Sequence, residues 1–171
     1  AVLHSFSTLA FNNDRPYESL YLYEQALIQG KVPFDIIYEE DLTDLSKYKV
    51  LILPDVECLS EKNMELIKKF VANGGGLVAT EHTSLYTEYR NRKRDFGLKD
   101  LLSVKAPVWK GRGHPEEILN IPVHKNQSGL GKVVYLPEVV PSIKKPPAVE
   151  MRSPYWKLPV NWKEMVESVK W

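Results

Sequence analysis

Residues 49–80 read KVLILPDVECLSEKNMELIKKFVANGGGLVAT. The run 49–53 is short, apolar and rich in Val, Ile and Leu, the pattern of a strand buried on both faces. Pro54 and Asp55 stop it. Ser60 is suited to cap a helix, and Leu59 before it can pack on Met64 as a hydrophobic staple. Met64, Ile67 and Val71, flanked by Leu66 and Phe70, make one apolar stripe, while Glu61, Lys62, Lys68 and Lys69 face away. Gly74 falls where a left-handed residue ends a helix, and 77–80 begins a second buried strand. Strand, helix and strand form a βαβ unit, whose crossover is expected to be right-handed.

The same alternation extends toward the N-terminus. Val2, Leu3, Phe6 and Leu9 predict a first strand over 1–9, and 11–16 is a loop in which Asn13 or Asp14 caps the next helix, with Pro16 in its first turn. A helix over 18–29 closes at Gly30. A second strand is predicted over 31–38, and 42–48 bridges into the βαβ unit. The order β-α-β-β-α-β is that of a doubly wound parallel sheet. Beyond Thr80 the pattern loosens. Residues 81–94 are polar and carry a basic run, Arg90, Arg92, Lys93 and Arg94; 96–104 predicts a short amphipathic helix; 105–113 is a loop or a strand edge. A strand is allowed over 118–123, and 130–136 is the clearest late strand. Six prolines between 137 and 159 predict an extended surface segment, and 161–171 a last helix.

With 171 residues, 43% hydrophobic and 26% charged, the chain fits one domain with a sizeable core. Its net charge of +1 points to neither nucleic acid nor a membrane surface as partner. No apolar run nears the roughly 20 residues that span a bilayer, and no signal peptide is visible. The lone Cys58 excludes an internal disulfide and a cysteine-built zinc site, and fits a reducing, cytoplasmic setting. The chain begins at Ala1, is apolar within two residues, and ends in a helix without a polar tail, as expected of a piece of a longer polypeptide. A trimmed initiator methionine explains the first feature equally.

Two residues invite a catalytic reading. Cys58 follows a strand and precedes a helix N-terminus, where the dipole favours a thiolate. Its neighbours Glu57 and Leu59 are not the small residues of a nucleophile elbow, and Glu57 opposes thiolate formation. His82, with Glu81 beside it, lies at the carboxyl edge of the second buried strand, where open parallel sheets bind ligands. A Cys58–His82 pair oriented by Glu81 has the makings of a thiol nucleophile and base; the bland alternatives are a half-buried cysteine and a loop histidine. His4, His114 and His124 lack the spacing of metal ligands, so no metal site is expected. Gly74–Gly76 precede a strand, not a helix, and are a helix stop, not a phosphate cradle. The segment 5–14 lacks a glycine-rich phosphate loop, so no nucleotide or flavin cofactor is expected. Trp109, Tyr155, Trp156 and Trp162 stand in or near irregular, proline-rich chain and are candidates for an interface. Arg90, Arg92 and Arg94 are candidates for contact with a neighbour's carboxylates, against the plainer reading of a solvated face.

The ordered set LxxxFVxNGGGLVAT (66–80), HTSLY, DFGLKDLL and GKVVYLP resembles the glutamine-amidotransferase-like domain of bacterial glycoside hydrolases, in particular the trimerisation domain of family 42 β-galactosidases. The resemblance runs over about residues 1–137, which leaves 138–171 as a proline-rich extension and terminal helix packed on the same domain. It implies a flavodoxin-like three-layer α/β/α sandwich with a mostly parallel sheet. It also implies an accessory, oligomerising role beside a catalytic barrel of the same polypeptide, in a homo-oligomer such as a trimer, with retaining hydrolysis by paired carboxylates carried out on that barrel. In active class I amidotransferases the nucleophilic cysteine follows the strand that is 77–80 here. The matching positions are Glu81, His82 and Thr83, with no cysteine, and Cys58 lies one crossover too early. The resemblance therefore implies a fold retained without its site. A stand-alone amidotransferase-like or thiol hydrolase using Cys58 or His82 is the alternative.

Overall fold

The computed structural model describes residues 1–106, 122–143 and 157–171. The elements in chain order are β1 (Val2–Leu3), α1 (Phe6–Phe11), α2 (Arg15–Gln29), β2 (Ile36–Ile37), a 3₁₀ turn (Glu39–Thr43), β3 (Val50–Leu53), α3 (Glu61–Ala72), β4 (Gly76–Thr80), α4 (Lys99–Leu102), β5 (His124–Ser128), β6 (Gly131–Leu136) and α5 (Trp162–Lys170). They build a six-stranded sheet in the order β2-β1-β3-β4-β6-β5. Every pairing is parallel except the β5–β6 hairpin. The order reverses between β1 and β3, as in doubly wound flavodoxin-like sheets.

Period-two alternation distributes the side chains between two cores. Leu51, Leu53, Leu77, Ala79, Val133 and Tyr135 point to one face, where they meet Met64, Ile67 and Val71 of α3. Ile52, Val78, Val134 and Leu136 point to the other and meet Tyr23 and Leu27 of α2 and Met165 and Val166 of α5. Strands buried on both faces explain why 49–53 and 77–80 show apolar runs without alternation. The βαβ unit forms as its sequence predicts. Ser60 Oγ accepts the Asn63 N–H, and Leu59 and Met64 are buried in one core. Gly74 takes φ +102°, and β4 starts in register with β3, Val50 opposite Gly76. The helix predicted over 161–171 is present as α5, and the late strand over 130–136 as β6.

The N-terminal expectations need correction. Only Val2–Leu3 of the strand predicted over 1–9 joins the sheet. Ser5 then caps α1 by accepting the Thr8 N–H, and Glu39 receives the N–H groups of Phe6 and Ser7. Phe6 and Leu9, spaced three apart, belong to this helix, which takes up Phe11 from the predicted loop. α2 starts earlier than predicted, at Arg15. Gly30 ends α2, but the left-handed residue is Lys31 at φ +53°; a Cβ on Gly30 would fall 2.6 Å from Val166 Cγ2 of α5. Of the strand predicted over 31–38 only Ile36–Ile37 pairs, since Pro33 lacks an N–H.

Two late elements differ as well. The helix over 96–104 shortens to α4, closed by Ser103 at φ +53°. β5, a polar edge strand, lies beyond the strand allowed over 118–123, most of which is outside the described residues. The proline-rich segment and the candidates Trp109, His114, Tyr155 and Trp156 fall wholly or largely outside them too.

Candidate functional site

Among the described residues, the carboxyl ends of β3 and β4 bring together a close group of ionisable side chains. β3 delivers Asp55, Glu57 and Cys58; β4 delivers Glu81, His82 and Thr83. Asp55 and Glu81 both adopt left-handed backbone, φ +45° and +52°, conformations that residues with a Cβ take only when their surroundings hold them. Two threonines provide that hold. Thr80 Oγ1 accepts the Asp55 N–H (2.9 Å) and donates to Glu81 Oε2 (3.1 Å). Thr83 Oγ1 accepts the Val56 N–H (3.2 Å) and donates back to Thr80 O (2.7 Å). The two loops are thus tied across strands β3 and β4.

Asp55, Glu57 and Glu81 are all buried. Arg15 from α2 pairs with Glu81 (2.5 Å) and Glu18 (2.9 Å), and Arg90 meets Glu57 at 2.9 Å while lying over the Tyr86 ring. Asn12 donates to the second oxygen of Glu57 (3.0 Å). Burial first, and the negative Asp55 second, raise the carboxyls of Glu57 and Glu81 to about 7, against the pull of the two arginines. His82 donates its backbone N–H to Asp55 Oδ1 (2.9 Å), and its Nδ1 lies 3.4 Å from the same oxygen without the alignment of a hydrogen bond. Burial, the largest influence on that ring, lowers its pKa; Asp55, with Glu57 and Glu81, outweighs burial and raises it.

The three residues with a catalytic reading do not converge as one. Cys58 is completely buried, and burial together with Glu57 pushes its thiol up to about 11. Its backbone N–H bonds Thr8 Oγ1, and among the described residues no hydrogen bond joins it to His82. The Glu81 carboxylate turns to Arg15 and Thr80, not to His82. His82 instead meets Asp55, a residue that reading the sequence treats only as a strand stop. The one pointer to Asp55 was its place after β3, at the same edge as His82.

The basic segment is also not a solvated face. Tyr86 bridges to Cys58 and to Arg92, which folds the segment back on itself, and the Arg90 side chain is only 17% exposed. Arg92 is half-buried and gives a hydrogen bond to Lys93 O; Arg94 is exposed. Trp162 is half-buried against the α2–α5 core. Exposed aromatic surface lies elsewhere: of the six large, exposed aromatics among the described residues, Phe6, Phe11, Tyr17, Tyr38 and Tyr89 lie on segments that follow or precede the strand ends and are joined there by Glu39, Glu57 and Glu81. Phe6 is 77% and Tyr89 74% exposed. Sequence reasoning missed them because Phe6 and Phe11 read as strand and loop core.

The family model described as the beta-galactosidase trimerisation domain matches residues 10–108. The beta-galactosidase GalA of Bacillus licheniformis is 34% identical over 71 residues, which are 42% of this chain and 10% of that protein. GanA of Bacillus subtilis is 32% identical over 72 residues, with the same shares. The match thus spans about a tenth of these relatives' length. Among solved structures, a beta-galactosidase from Bacillus circulans sp. alkalophilus superposes with a TM-score of 0.64 at 18% identity, over 79% of this chain and 28% of that one. Gan42B, a GH42 beta-galactosidase, gives 0.62 at 21% over 79% and 27%. At these identities the superpositions establish the fold.

Proposed function

The chain belongs to the β-galactosidase trimerisation domain family, and on that footing we propose that it is a non-catalytic assembly domain of a β-galactosidase-like glycoside hydrolase. In this reading it joins copies of its parent, as a trimer, and packs beside a catalytic barrel of the same polypeptide. The single observation that carries it is the family match over 10–108, which covers β2, β3, β4 and all of the carboxyl-edge loops of β3 and β4. The aromatic edge of Phe6, Phe11, Tyr17, Tyr38 and Tyr89 supports it, since rigid exposed aromatics are typical interface anchors. Exposed Arg94 is the basic candidate placed to add a contact; Trp109, Tyr155 and Trp156 stay in the proposal on sequence grounds. An α/β unit over 1–137 with 138–171 as its extension belongs to the same proposal, supported by the packing of α5 on α2. So does a reducing, cytoplasmic setting, supported by the free buried thiol. Among the described residues no helix is long and apolar enough to cross a membrane.

Light scattering coupled to size-exclusion chromatography tests the assembly role, and nitrophenyl glycosides test for catalysis. The expected result is concentration-dependent self-association with no turnover. Turnover by this chain, abolished by Cys58→Ser or His82→Gln, would overturn the non-catalytic reading. A monomer at every concentration would overturn self-association.

A further inference from the structure

We propose that Asp55, Glu57 and His82 form a binding site for one divalent transition-metal cation of the zinc type, a property separate from assembly. Each residue offers a donor atom, and the three donors lie within 4.8 Å of one another. They come from two loops pinned together by Thr80 and Thr83. The independent observation is Asp55 itself. It is 0% exposed, its Oδ1 is fixed by the His82 N–H, and its Oδ2 has no hydrogen-bond partner among the described residues. A buried carboxylate oxygen left with nothing to accept is costly, and such orphans in a native fold call for an explanation, an ion among them. Both ring nitrogens of His82 also lack hydrogen bonds among the described residues. Arg90 approaches Glu57 Oε2 as an ion pair without hydrogen-bond alignment, so that oxygen also keeps lone pairs to offer.

Charge points the same way. Glu18, Asp55, Glu57 and Glu81 are buried; Arg15 pairs with Glu18, Glu81 and the partly exposed Glu138, and Arg90 pairs with Glu57. Carboxyl groups outnumber guanidiniums here, so a bound cation would favour the charged form of each carboxylate. An imidazole nitrogen with two carboxylate oxygens suits zinc and its neighbours; magnesium and calcium favour oxygen-only shells. Asn12, bonded to Glu57 Oε1, would orient that ligand from behind. The His82 side chain keeps 19% exposure, which gives an ion a way in.

The test uses the 171-residue chain, stripped with a chelator, and Co²⁺ as a visible-absorbing probe, with Zn²⁺ competition and metal analysis after dialysis. The expected result is one equivalent bound per chain, displaced by Zn²⁺. Asp55→Asn, Glu57→Gln and His82→Gln should each weaken binding about tenfold or more, while His4→Gln, beside Glu24 on another part of the edge, leaves it unchanged. Circular dichroism identifies any variant that fails to fold; Glu57→Gln and His82→Gln carry the test if Asp55→Asn does. Uptake far below one equivalent, or one equivalent that persists unweakened in the folded ligand variants, overturns the proposal.

Discussion

Cys58 shows how far a single residue's surroundings decide its chemistry. A thiol at the end of a strand and ahead of a helix is a plausible nucleophile by sequence position. Here it is sealed from solvent beside Glu57, and its pKa near 11 leaves about one thiolate in a thousand at pH 8. Iodoacetamide should therefore label Cys58 only after denaturation; labelling of the native chain at the rate of a free thiol would contradict that burial. Glu57's opposition to a thiolate was readable in the sequence, because the two residues are adjacent. The role of Asp55 was not: it depends on a contact with His82, 27 positions away, made only when two crossover loops meet. Tyr23 offers a second check at this scale. Its hydroxyl donates to Met165 O (3.0 Å) and meets Ser168 Oγ (2.9 Å). Tyr23→Phe should lower stability by about 1 kcal/mol in urea unfolding, and no change would mean these bonds contribute nothing net.

Among the elements, those with a local signal formed where the sequence placed them. α3 has its cap, its staple, its stripe and its glycine stop within 49–80, and each acts through near neighbours. β1 and β2 were overestimated for the opposite reason: Phe6, Leu9, Val32 and Phe34 are apolar, yet Ser5 capping and Pro33 end the ladder early. β5 was missed because HKNQS is polar on both faces and becomes a strand only by pairing with β6. The joint between α3 and β6 is the tightest of these contacts. A Cβ on Gly131 would lie 2.2 Å from Val71 O and 2.4 Å from Gly75 O, backbone atoms that cannot swing aside. Gly131→Ala should cost about 3 kcal/mol in chemical denaturation; a loss below about 0.5 kcal/mol would show that the α3–β6 joint has room to move.

For the molecule as a whole, doubly wound order followed from alternation of strands and helices, but the balance of the two faces did not. The second face depends on α5, whose Met165 and Val166 close over Val134 and Tyr23 more than a hundred positions from α2. Deleting 158–171 should abolish the single cooperative unfolding transition, followed by circular dichroism; a truncated chain that melts as one unit would show α5 to be dispensable. The carboxyl edge makes a separate prediction: Phe6→Glu with Tyr89→Glu should shift the mass measured by light scattering to that of a monomer without changing the melting temperature. The flanks of the sheet set the terms of any such assembly. One is the two-residue β2 beside Pro33, and the other is HKNQS, with no apolar side chain to greet an incoming strand. Among the described residues, neither flank invites a copy to extend the backbone ladder. In the proposed assembly, attachment through side chains would be tunable by a handful of substitutions and would leave each copy's hydrogen-bonded framework intact when the copies part.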